Sequence, residues 1–364
     1  MVTSGRMVVF DRPNGPFRIV DYPLRPPQAD EVLVGVRMST ICRSDIHAYQ
    51  GHRPSPCPGI LGHEIIGNIE AIGSSVQHDM RGTKLSPGDR VTWSEYFIPG
   101  PNYFNEVLDL PQKSPGVDKY GHMSADVSPH HHGGFAEYCY ILPHSWILRL
   151  PDELSDEEAT PINCGIATMA AVIDAAEIRL GDTVVIQGLG LLGMYGAALA
   201  KSRGARQVIG LDSVSARREL STRFGVDVTL DPNQLDSKRA VGEVLQHCPP
   251  IGADVVIEVC GDPSVIPDGM TILRTGGTYV LAGVVNPGAD VVVDANVILR
   301  KLLTLKGVHN DHPRHLVQAM EFVLANRQRL PFHSLVDGKY RLDQLDQAMA
   351  DAAAHRVLRA AIVP

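Results

Sequence analysis

The sequence has no long apolar run and no excess of basic charge. No stretch reaches the roughly 18 apolar residues that a membrane-spanning helix needs, and the N-terminal MVTSGRMVVFDRPNGPF has no uninterrupted apolar core of a signal peptide. Lys and Arg total 33 against 41 for Asp and Glu, a formal net charge of −8, and no block of like charges occurs. These absences argue against membrane and nucleic-acid partners and favour a cytoplasmic protein.

Cysteine is also scarce. The cysteines lack the short spacings of a disulfide framework, which in a chain of 364 residues indicates reduced thiols and leaves metal ligation open. They are Cys42, Cys57, Cys139, Cys164, Cys248 and Cys260.

The length exceeds one typical hydrophobic core and indicates two domains. The N-terminal part shows short strands broken by Pro and Gly, which is typical of a β-rich barrel. From Thr183 onward, buried apolar runs alternate with helical stretches, as in a parallel sheet covered by helices on both faces. We therefore expect an α/β protein with a β-rich catalytic domain over 1–152 and 300–364 and a Rossmann domain, a doubly wound parallel sheet, over 153–299.

A glycine motif marks the nucleotide site. Gly188, Gly190 and Gly193 form a GxGxxG sequence that follows a predicted strand and opens a predicted helix. In this context the glycines permit a tight turn and close approach of the backbone to a pyrophosphate, and the helix N-terminus supplies amide donors. The motif predicts a dinucleotide cofactor.

An acidic residue after the next strand indicates which dinucleotide binds. Asp212 lies nineteen residues after Gly193, where a carboxylate can accept hydrogen bonds from the adenosine ribose hydroxyls and repel a 2′-phosphate. This favours NAD over NADP. Arg217 is a further candidate for cofactor contact and could partly offset the repulsion, whereas Arg218 fits a solvated helix face equally well.

Metal-binding residue types accompany the glycine motif. Cys42 and His63 lie about twenty residues apart in the β-rich half, and Cys164 follows a hundred residues later. Two thiolates and an imidazole that leave one position open are the ligands of a catalytic zinc. Each residue alone fits a core position better, but together with a dinucleotide motif they favour a zinc site.

With these motifs, the sequence resembles the zinc-containing medium-chain dehydrogenase (alcohol dehydrogenase) family over almost its whole length. The resemblance implies a GroES-like catalytic domain and zinc bound by Cys42, His63 and Cys164, with Glu64 as an alternate or neighbouring ligand. Asp45 would then hydrogen-bond the far ring nitrogen of His63 and fix its tautomer. The reaction implied is hydride transfer between an alcohol or ketone and NAD.

The resemblance also assigns a proton relay and cofactor contacts. Ser44 would take the substrate proton and His47 would pass it onward. Arg43 and Arg359 match arginines that contact the cofactor pyrophosphate, although Arg359 fits a salt bridge equally well. Around the nicotinamide, the matched positions are Leu192 and the backbone at Gly283, Val284 and Val285.

The sequence departs from most relatives at a second, structural zinc. The approximate positions of its four cysteines hold Pro99, Asn102, Asn105 and Ser114, none of which supplies a thiolate, so we expect one catalytic zinc per chain and no structural zinc. A replacement metal site at 130–132 is conceivable, but three adjacent histidines fit a solvated loop tip better.

The substrate is less well defined by the sequence. Resemblance is greatest to bacterial members associated with phosphonate catabolism and to cyclitol and polyol dehydrogenases, which implies a secondary alcohol that is a polyol or carries an anionic group. An anion would need nearby cations, for which the candidates are His52, Arg53, His309 and Arg314. An alternative activity on the same scaffold is a zinc lyase or epimerase that uses NAD with no net redox change.

Oligomerisation is expected from the resemblance alone. Relatives pair the edge strands of two Rossmann sheets, and the apolar stretch GADVVVDANVIL could supply such an edge in a dimer or tetramer. At the C-terminus, AHRVLRAAIVP contains a strand-like run that could return to the first domain.

Overall fold

The structure is a computed structural model that describes residues 3–234 and 237–364. These residues form two compact units. The first unit contains the chain up to Cys164 together with His312–Arg327 and Phe332–Pro364, and the second contains Gly165–Asp311 and Gln328–Pro331.

The N-terminal part of the first unit is built mainly from short strands, as the sequence predicts. Its strands are β1 (Ser4–Phe10), β2 (Phe17–Pro23), β3 (Val32–Thr40), β4 (Gly59–Ile60), β5 (Glu64–Ile72), β6 (Arg90–Trp93), β7 (Tyr96–Phe97), β8 (Asp118–Lys119), β9 (Tyr138–Ile141) and β10 (Ile147–Arg149). The helices are short: α1 (Arg43–Tyr49), α2 (Tyr103–Glu106) and α3 (Asp156–Ala159), with 3-10 turns at Pro111–Lys113 and Thr160–Asn163.

The second unit alternates strands with helices. Its helices are α4 (Gly165–Ala176), α5 (Leu191–Ser202), α6 (Ser215–Thr222), α7 (Ser237–His247), α8 (Ile266–Ile272) and α9 (Ala295–Lys301). Its strands are β11 (Thr183–Gln187), β12 (Gln207–Leu211), β13 (Val228–Leu230), β14 (Ala253–Glu258), β15 (Leu273–Leu281) and β16 (Thr304–Gly307), with 3-10 turns at Pro232–Gln234 and Pro263–Val265.

The chain then returns to the first unit through α10 (Pro313–Asn326), a 3-10 turn at Phe332–Leu335, β17 (Gly338–Arg341), a 3-10 turn at Leu342–Gln344, α11 (Leu345–Ala353) and β18 (Ala360–Val363). In the first unit the main sheet has the order β10-β6-β5-β3-β18-β17, with β9 also paired to β3. Strand β18 pairs antiparallel with β3, so the C-terminal run returns to the first domain as expected. The sheet encloses a core that includes Trp93, Tyr120 and Tyr140.

In the second unit the strands are parallel in the order β13-β12-β11-β14-β15-β16. This is the strand order of a doubly wound Rossmann sheet, and it confirms the predicted fold class. Strand β11 is buried along its whole length, as a central strand covered on both faces must be. The order reverses between β11 and β14, and ligands of such sheets bind at the carboxyl ends of the strands beside that point.

Both unit boundaries differ from the expected 152 and 299. The segment after residue 152 remains with the first unit because Asn163 is buried there and its amide donates to the carbonyls of His63 and Trp93, each at 2.9 Å. The second unit extends to Asp311 because β16 adds to the parallel sheet beside β15.

The stretch GADVVVDANVIL is not a strand in the single chain described, and its expected pairing with a second copy stays a prediction. The structure assigns no strand to residues 289–293, and the remainder of GADVVVDANVIL forms the start of α9, capped by the Asp294 side chain through the Asn296 amide. An aspartate that accepts a bond two residues on begins a helix rather than a strand. In the parallel sheet as described, the last strand after β15 is β16.

Among the described residues, no single helix is long and apolar enough to cross a membrane. Two helices with a bend between them, 156–163 and 165–176, together have the length and apolar composition of a membrane span.

Candidate metal and nucleotide sites

The Asp45 carboxylate joins the two segments that carry the first metal donors. Its Oδ2 accepts the Cys42 amide at 2.8 Å, and its Oδ1 accepts the Gly62 amide at 3.1 Å. The same Oδ1 lies 3.2 Å from His63 Nδ1, the contact that the resemblance implies. Asp45 is fully buried, so these N–H groups replace the water that its charge loses.

A second hydrogen-bonding residue, Asn163, positions the third metal donor, Cys164. Asn163, which donates to the carbonyl of His63 itself, immediately precedes Cys164. Backbone and side-chain hydrogen bonds from the protein itself therefore hold three sequence-distant donors in one place. The donor atoms of Cys42, His63, Glu64 and Cys164 all lie within 4.8 Å of one another.

The donor types of this cluster fit a divalent cation. A hydrogen bond from Cys164 lowers the pKa of the Cys42 thiol well below its usual value, because burial is outweighed by the sulfur contact and the nearby His63. Burial opposes protonation of His63, but the Asp45 charge raises the pKa of its imidazole to about 10. Two sulfurs, one imidazole nitrogen and a carboxylate oxygen are donors that zinc accepts, so the residues present fit this metal.

Glu64 faces the donor cluster from β5. Its Oε2 accepts a short hydrogen bond from Thr40 and lies 3.5 Å from Arg359 Nη1, whereas its Oε1 is buried with no hydrogen-bond partner among the described residues. Burial raises the pKa of Glu64 to about 7, against the opposing charge of Arg359. An unpaired buried carboxylate oxygen is costly, and a nearby cation would satisfy it.

Arg359 occupies a buried position in the first unit. Its Nη1 donates to the Ile41 carbonyl at 2.8 Å, and the side chain is 8% exposed. The structure thus places this guanidinium against Glu64, in a salt bridge that is buried rather than at the surface. Arg43, the other arginine assigned to the pyrophosphate, is exposed and lies 3.3 Å from His355.

The two residues of the expected proton relay both lie on α1. Ser44 Oγ is 3.5 Å from His63 Nε2, which is the imidazole nitrogen left for a metal once Nδ1 faces Asp45. His47 Nδ1 is 3.4 Å from His52 Nδ1, and His52 is exposed. Burial and the charge of Arg43 lower the pKa of His47, which favours the neutral imidazole.

A buried ion pair that the sequence did not predict lies beside the metal donors. Lys119 Nζ lies 2.7 Å from Glu95 Oε2, and that oxygen is 3.7 Å from His63 Nε2. Burial opposes both charges, yet each charge favours the other: the pKa of Glu95 is lowered and that of Lys119 is raised. Gly121 brings this segment close, since a Cβ there would lie 2.6 Å from the Gly62 carbonyl.

Hydrogen bonds connect three of the four positions where the resemblance implies that structural-zinc cysteines are missing: Asn102, Asn105 and Ser114. Asn102 caps α2 by accepting the Phe104 amide at 2.9 Å, and Asn105 Oδ1 accepts the Asn102 amide at 3.0 Å. Both asparagine side chains donate to the Gly100 carbonyl, and Asn105 Nδ2 also lies 3.4 Å from Ser114 Oγ. Amide side chains thus tie this lobe together where a metal would.

The histidines at 130–132 do not form the expected solvated tip. His131 and His132 are fully buried, and their Nε2 atoms lie 3.5 and 3.3 Å from the carbonyls of Tyr22 and Val127. His130 stacks on the Tyr22 ring. Burial lowers the pKa of His132 to about 4, so the imidazole stays neutral.

In the second unit, the glycine motif forms a tight turn between β11 and α5. Gly188 has a φ of +105°, and a Cβ on Gly193 would lie 2.0 Å from the Gly188 carbonyl, so both positions require glycine. A Cβ on Gly190 would meet nothing within 4 Å, and no side chain caps the helix that begins there. This open helix N-terminus fits a phosphate group. Leu192 is half-buried in the first turn.

Asp212 lies directly after β12, beside this turn. Its Oδ2 accepts the Leu189 amide at 2.8 Å, and its Oδ1 accepts the Val214 amide at 2.8 Å. Arg217 Nη1 is 3.8 Å from Oδ2. Arg218 is not a solvated residue, because it bonds the Asp212 carbonyl and lies 3.2 Å from Asp231.

Glu258 is a buried carboxylate that the sequence-based assignment omits. It ends β14 and accepts the amides of Gly261, Gly283 and Val284 at 2.6, 3.0 and 3.2 Å. These bonds fix the backbone that the resemblance assigns to the nicotinamide. In the sequence, the acidic residue near the end of the apolar run ADVVIEV could have indicated this role.

Two domain families match this chain. Residues 28–152 match the alcohol dehydrogenase GroES-like domain, and residues 192–325 match the zinc-binding dehydrogenase domain. Alcohol dehydrogenase class-3 of Pisum sativum is 30% identical, covering 80% of this chain and 79% of its own. Sorbitol dehydrogenase of Halalkalibacterium halodurans is 27% identical over 96% of each chain.

Solved structures show the same fold. An alcohol dehydrogenase of Thermotoga maritima superposes with a TM-score of 0.94 at 26% identity, covering 99% of each chain. A zinc-binding dehydrogenase of Sinorhizobium meliloti bound to NADP gives 0.87 at 25% identity over the whole of each chain. The protein therefore belongs to the medium-chain dehydrogenase/reductase family, and it is an NAD(P)-dependent zinc alcohol dehydrogenase.

Asp45→Asn should weaken zinc binding by about 10- to 100-fold, because His63 loses the charge that orients its ring. The measurement is competition with a zinc chelator. Asp79→Asn is the matched control, since Asp79 is also buried and accepts the amides of Arg81, Thr83 and Arg149. Equal loss of zinc affinity in both variants would contradict the role given to Asp45.

Proposed function

We propose that this chain transfers a hydride between a secondary alcohol and NAD, at a single catalytic zinc held by Cys42, His63 and Cys164. The observation that carries the proposal is the convergence of these donors with Glu64 within 4.8 Å, organised by Asp45. The substrate is a small polar alcohol, either a cyclitol or polyol or one that bears a phosphate or phosphonate group.

The chain's own residues supply the rest of the chemistry. Zinc bound by these donors provides a Lewis acid that lowers the pKa of the alcohol oxygen and, in the opposite direction, polarises a carbonyl. Ser44 Oγ accepts the substrate proton, and the His47 imidazole carries it towards His52 and solvent. Glu64 acts as the alternate ligand, because one of its carboxylate oxygens lies within 4.8 Å of the other donors and its Oε1 has no hydrogen-bond partner among the described residues.

NAD is the proposed coenzyme. The Gly188–Gly193 turn offers amides to the pyrophosphate, and Asp212 offers its carboxylate to the ribose hydroxyls. Arg43, Arg217, Arg359, Leu192 and Val284 complete the proposed cofactor contacts.

We further propose that the protein is a cytoplasmic homo-oligomer, either a dimer or a tetramer. The residues of β16 are exposed along most of the strand, and an unpaired strand edge favours pairing with a second copy.

The direct test of the proposal is NADH absorbance with cyclitols, polyols and hydroxyalkylphosphonates presented side by side.

Cys42→Ala should abolish turnover and most zinc binding, because it removes a thiolate ligand. His47→Gln should keep its zinc and lose rate by at most about 10²–10⁴-fold, with the largest deficit at low pH, where deprotonation of the alcohol is least favourable. Exposed Cys57→Ala and His333→Gln are the controls. Loss of zinc from His47→Gln would show that the relay assignment is wrong.

Asp212→Ala should narrow the preference for NAD over NADP, with NAD binding weakened roughly tenfold or more, because a charged acceptor is lost. Asp212→Asn should retain part of the NAD binding. Asp294→Ala is the matched control, since Asp294 also accepts an amide two residues on. Steady-state kinetics with both coenzymes give the result, and a natural preference for NADP would overturn the assignment.

Metal analysis of the purified protein should give one zinc per chain. The Asn102 and Asn105 side chains already bond the Gly100 carbonyl, and they provide no thiolate for a second ion. Two zincs per chain would refute this count.

A further inference from the structure

The Glu95–Lys119 ion pair is not used in the chemistry proposed above. Glu95 follows β6, and Lys119 ends β8, where it pairs with Tyr96 of β7. The Tyr120 amide donates to the Glu95 carbonyl at 3.0 Å, so backbone bonds as well as the side-chain contact of 2.7 Å hold the two residues together.

The pair lies next to the metal donors and is partly open. Glu95 Oε2 is 3.7 Å from His63 Nε2, the nitrogen on the metal side of the ring. The Glu95 side chain is 2% exposed, whereas that of Lys119 is 21% exposed. A molecule bound through one oxygen at the donor cluster therefore has the carboxylate and the ammonium as immediate neighbours for its next polar group.

Stability alone does not explain the pair. Two charges lose most of their hydration when buried, and well-packed apolar residues of similar volume are often as stabilising as a buried ion pair. The surrounding core is apolar and includes Trp93 and Tyr120. A charged donor and a charged acceptor beside the metal donors are suited to binding a polar ligand.

The charge balance indicates which polar ligand fits. The Lys119 charge is already neutralised by Glu95 at 2.7 Å, so a phosphonate dianion would bring its charge against that carboxylate. A neutral hydroxyl has no such conflict, because it can donate to Glu95 and accept from Lys119 at once.

We infer that Glu95 and Lys119 bind a second hydroxyl of the substrate, adjacent to the carbon that is oxidised, and so select vicinal diols and polyols over alcohols with one hydroxyl. This inference rests on the proposed alcohol oxidation at the Cys42, His63 and Cys164 cluster. It assigns to the pair a specificity role in substrate binding rather than a role in the proton transfer.

The test compares cyclohexane-1,2-diol with cyclohexanol, which differ by one hydroxyl. The zinc-loaded enzyme should prefer the diol in kcat/KM by about 10- to 100-fold, the contribution expected of hydrogen bonds to charged groups. Lys119→Met and Glu95→Gln should each remove most of this preference for the diol, because each variant weakens binding of the second hydroxyl, which cyclohexanol lacks. Lys306→Met, which removes the ion pair with Glu177, should leave the ratio unchanged.

Calorimetric binding of the diol to zinc-loaded protein without coenzyme gives a readout that does not need turnover. Weaker diol binding in Lys119→Met, with unchanged zinc content, supports the inference. If neither alcohol is oxidised, that result contradicts the proposed function but not the inference. An unchanged diol-to-monoalcohol ratio in both variants would overturn the inference. So would loss of zinc from Glu95→Gln, or a hydroxyalkylphosphonate preference that disappears in Lys119→Met.

Discussion

The Asp45 carboxylate is the constraint on which the metal site depends. It accepts the backbone amides of Cys42 and of Gly62, the residue before His63, and it faces the ring of His63, so one buried charge fixes the position of α1 relative to β5. Because a buried carboxylate without partners would cost several kcal/mol, these bonds favour the geometry that also brings the thiolate and imidazole close. Asn163 then brings Cys164 to the same place through the His63 carbonyl.

Buried carboxylates perform the same task in the second unit. Asp212 and Glu258 lie at the carboxyl ends of β12 and β14, and each accepts backbone amides from the loops that follow neighbouring strands. The protein's own hydrogen bonds therefore hold the loops at the strand ends. A preorganised site loses less conformational entropy on binding.

Much of this could be predicted from the sequence. The apolar runs and the GxGxxG motif predict the parallel sheet and its nucleotide turn, because glycine is required at Gly188 and Gly193 for local steric reasons. The metal donors could be named because few residue types bind zinc. The Glu95–Lys119 pair could not, since neither residue has a local signature and only the β7–β8 pairing brings them together.

Departures from the sequence-based expectations have equally physical causes. The apolar stretch GADVVVDANVIL suggested an edge strand, whereas its C-terminal part forms a helix in the single chain, with Asp294 as its cap. Adjacent histidines suggested a solvated tip, whereas carbonyl partners allow His131 and His132 to be buried as neutral rings. In both cases a side-chain hydrogen bond, invisible in composition, decided the local structure.

If three donors, positioned by buried hydrogen bonds, hold one catalytic zinc, X-ray absorption at the zinc edge of the purified protein should show two sulfur ligands at about 2.3 Å and nitrogen or oxygen ligands at about 2.0–2.1 Å. A shell of four sulfurs, or a shell with none, would contradict this arrangement.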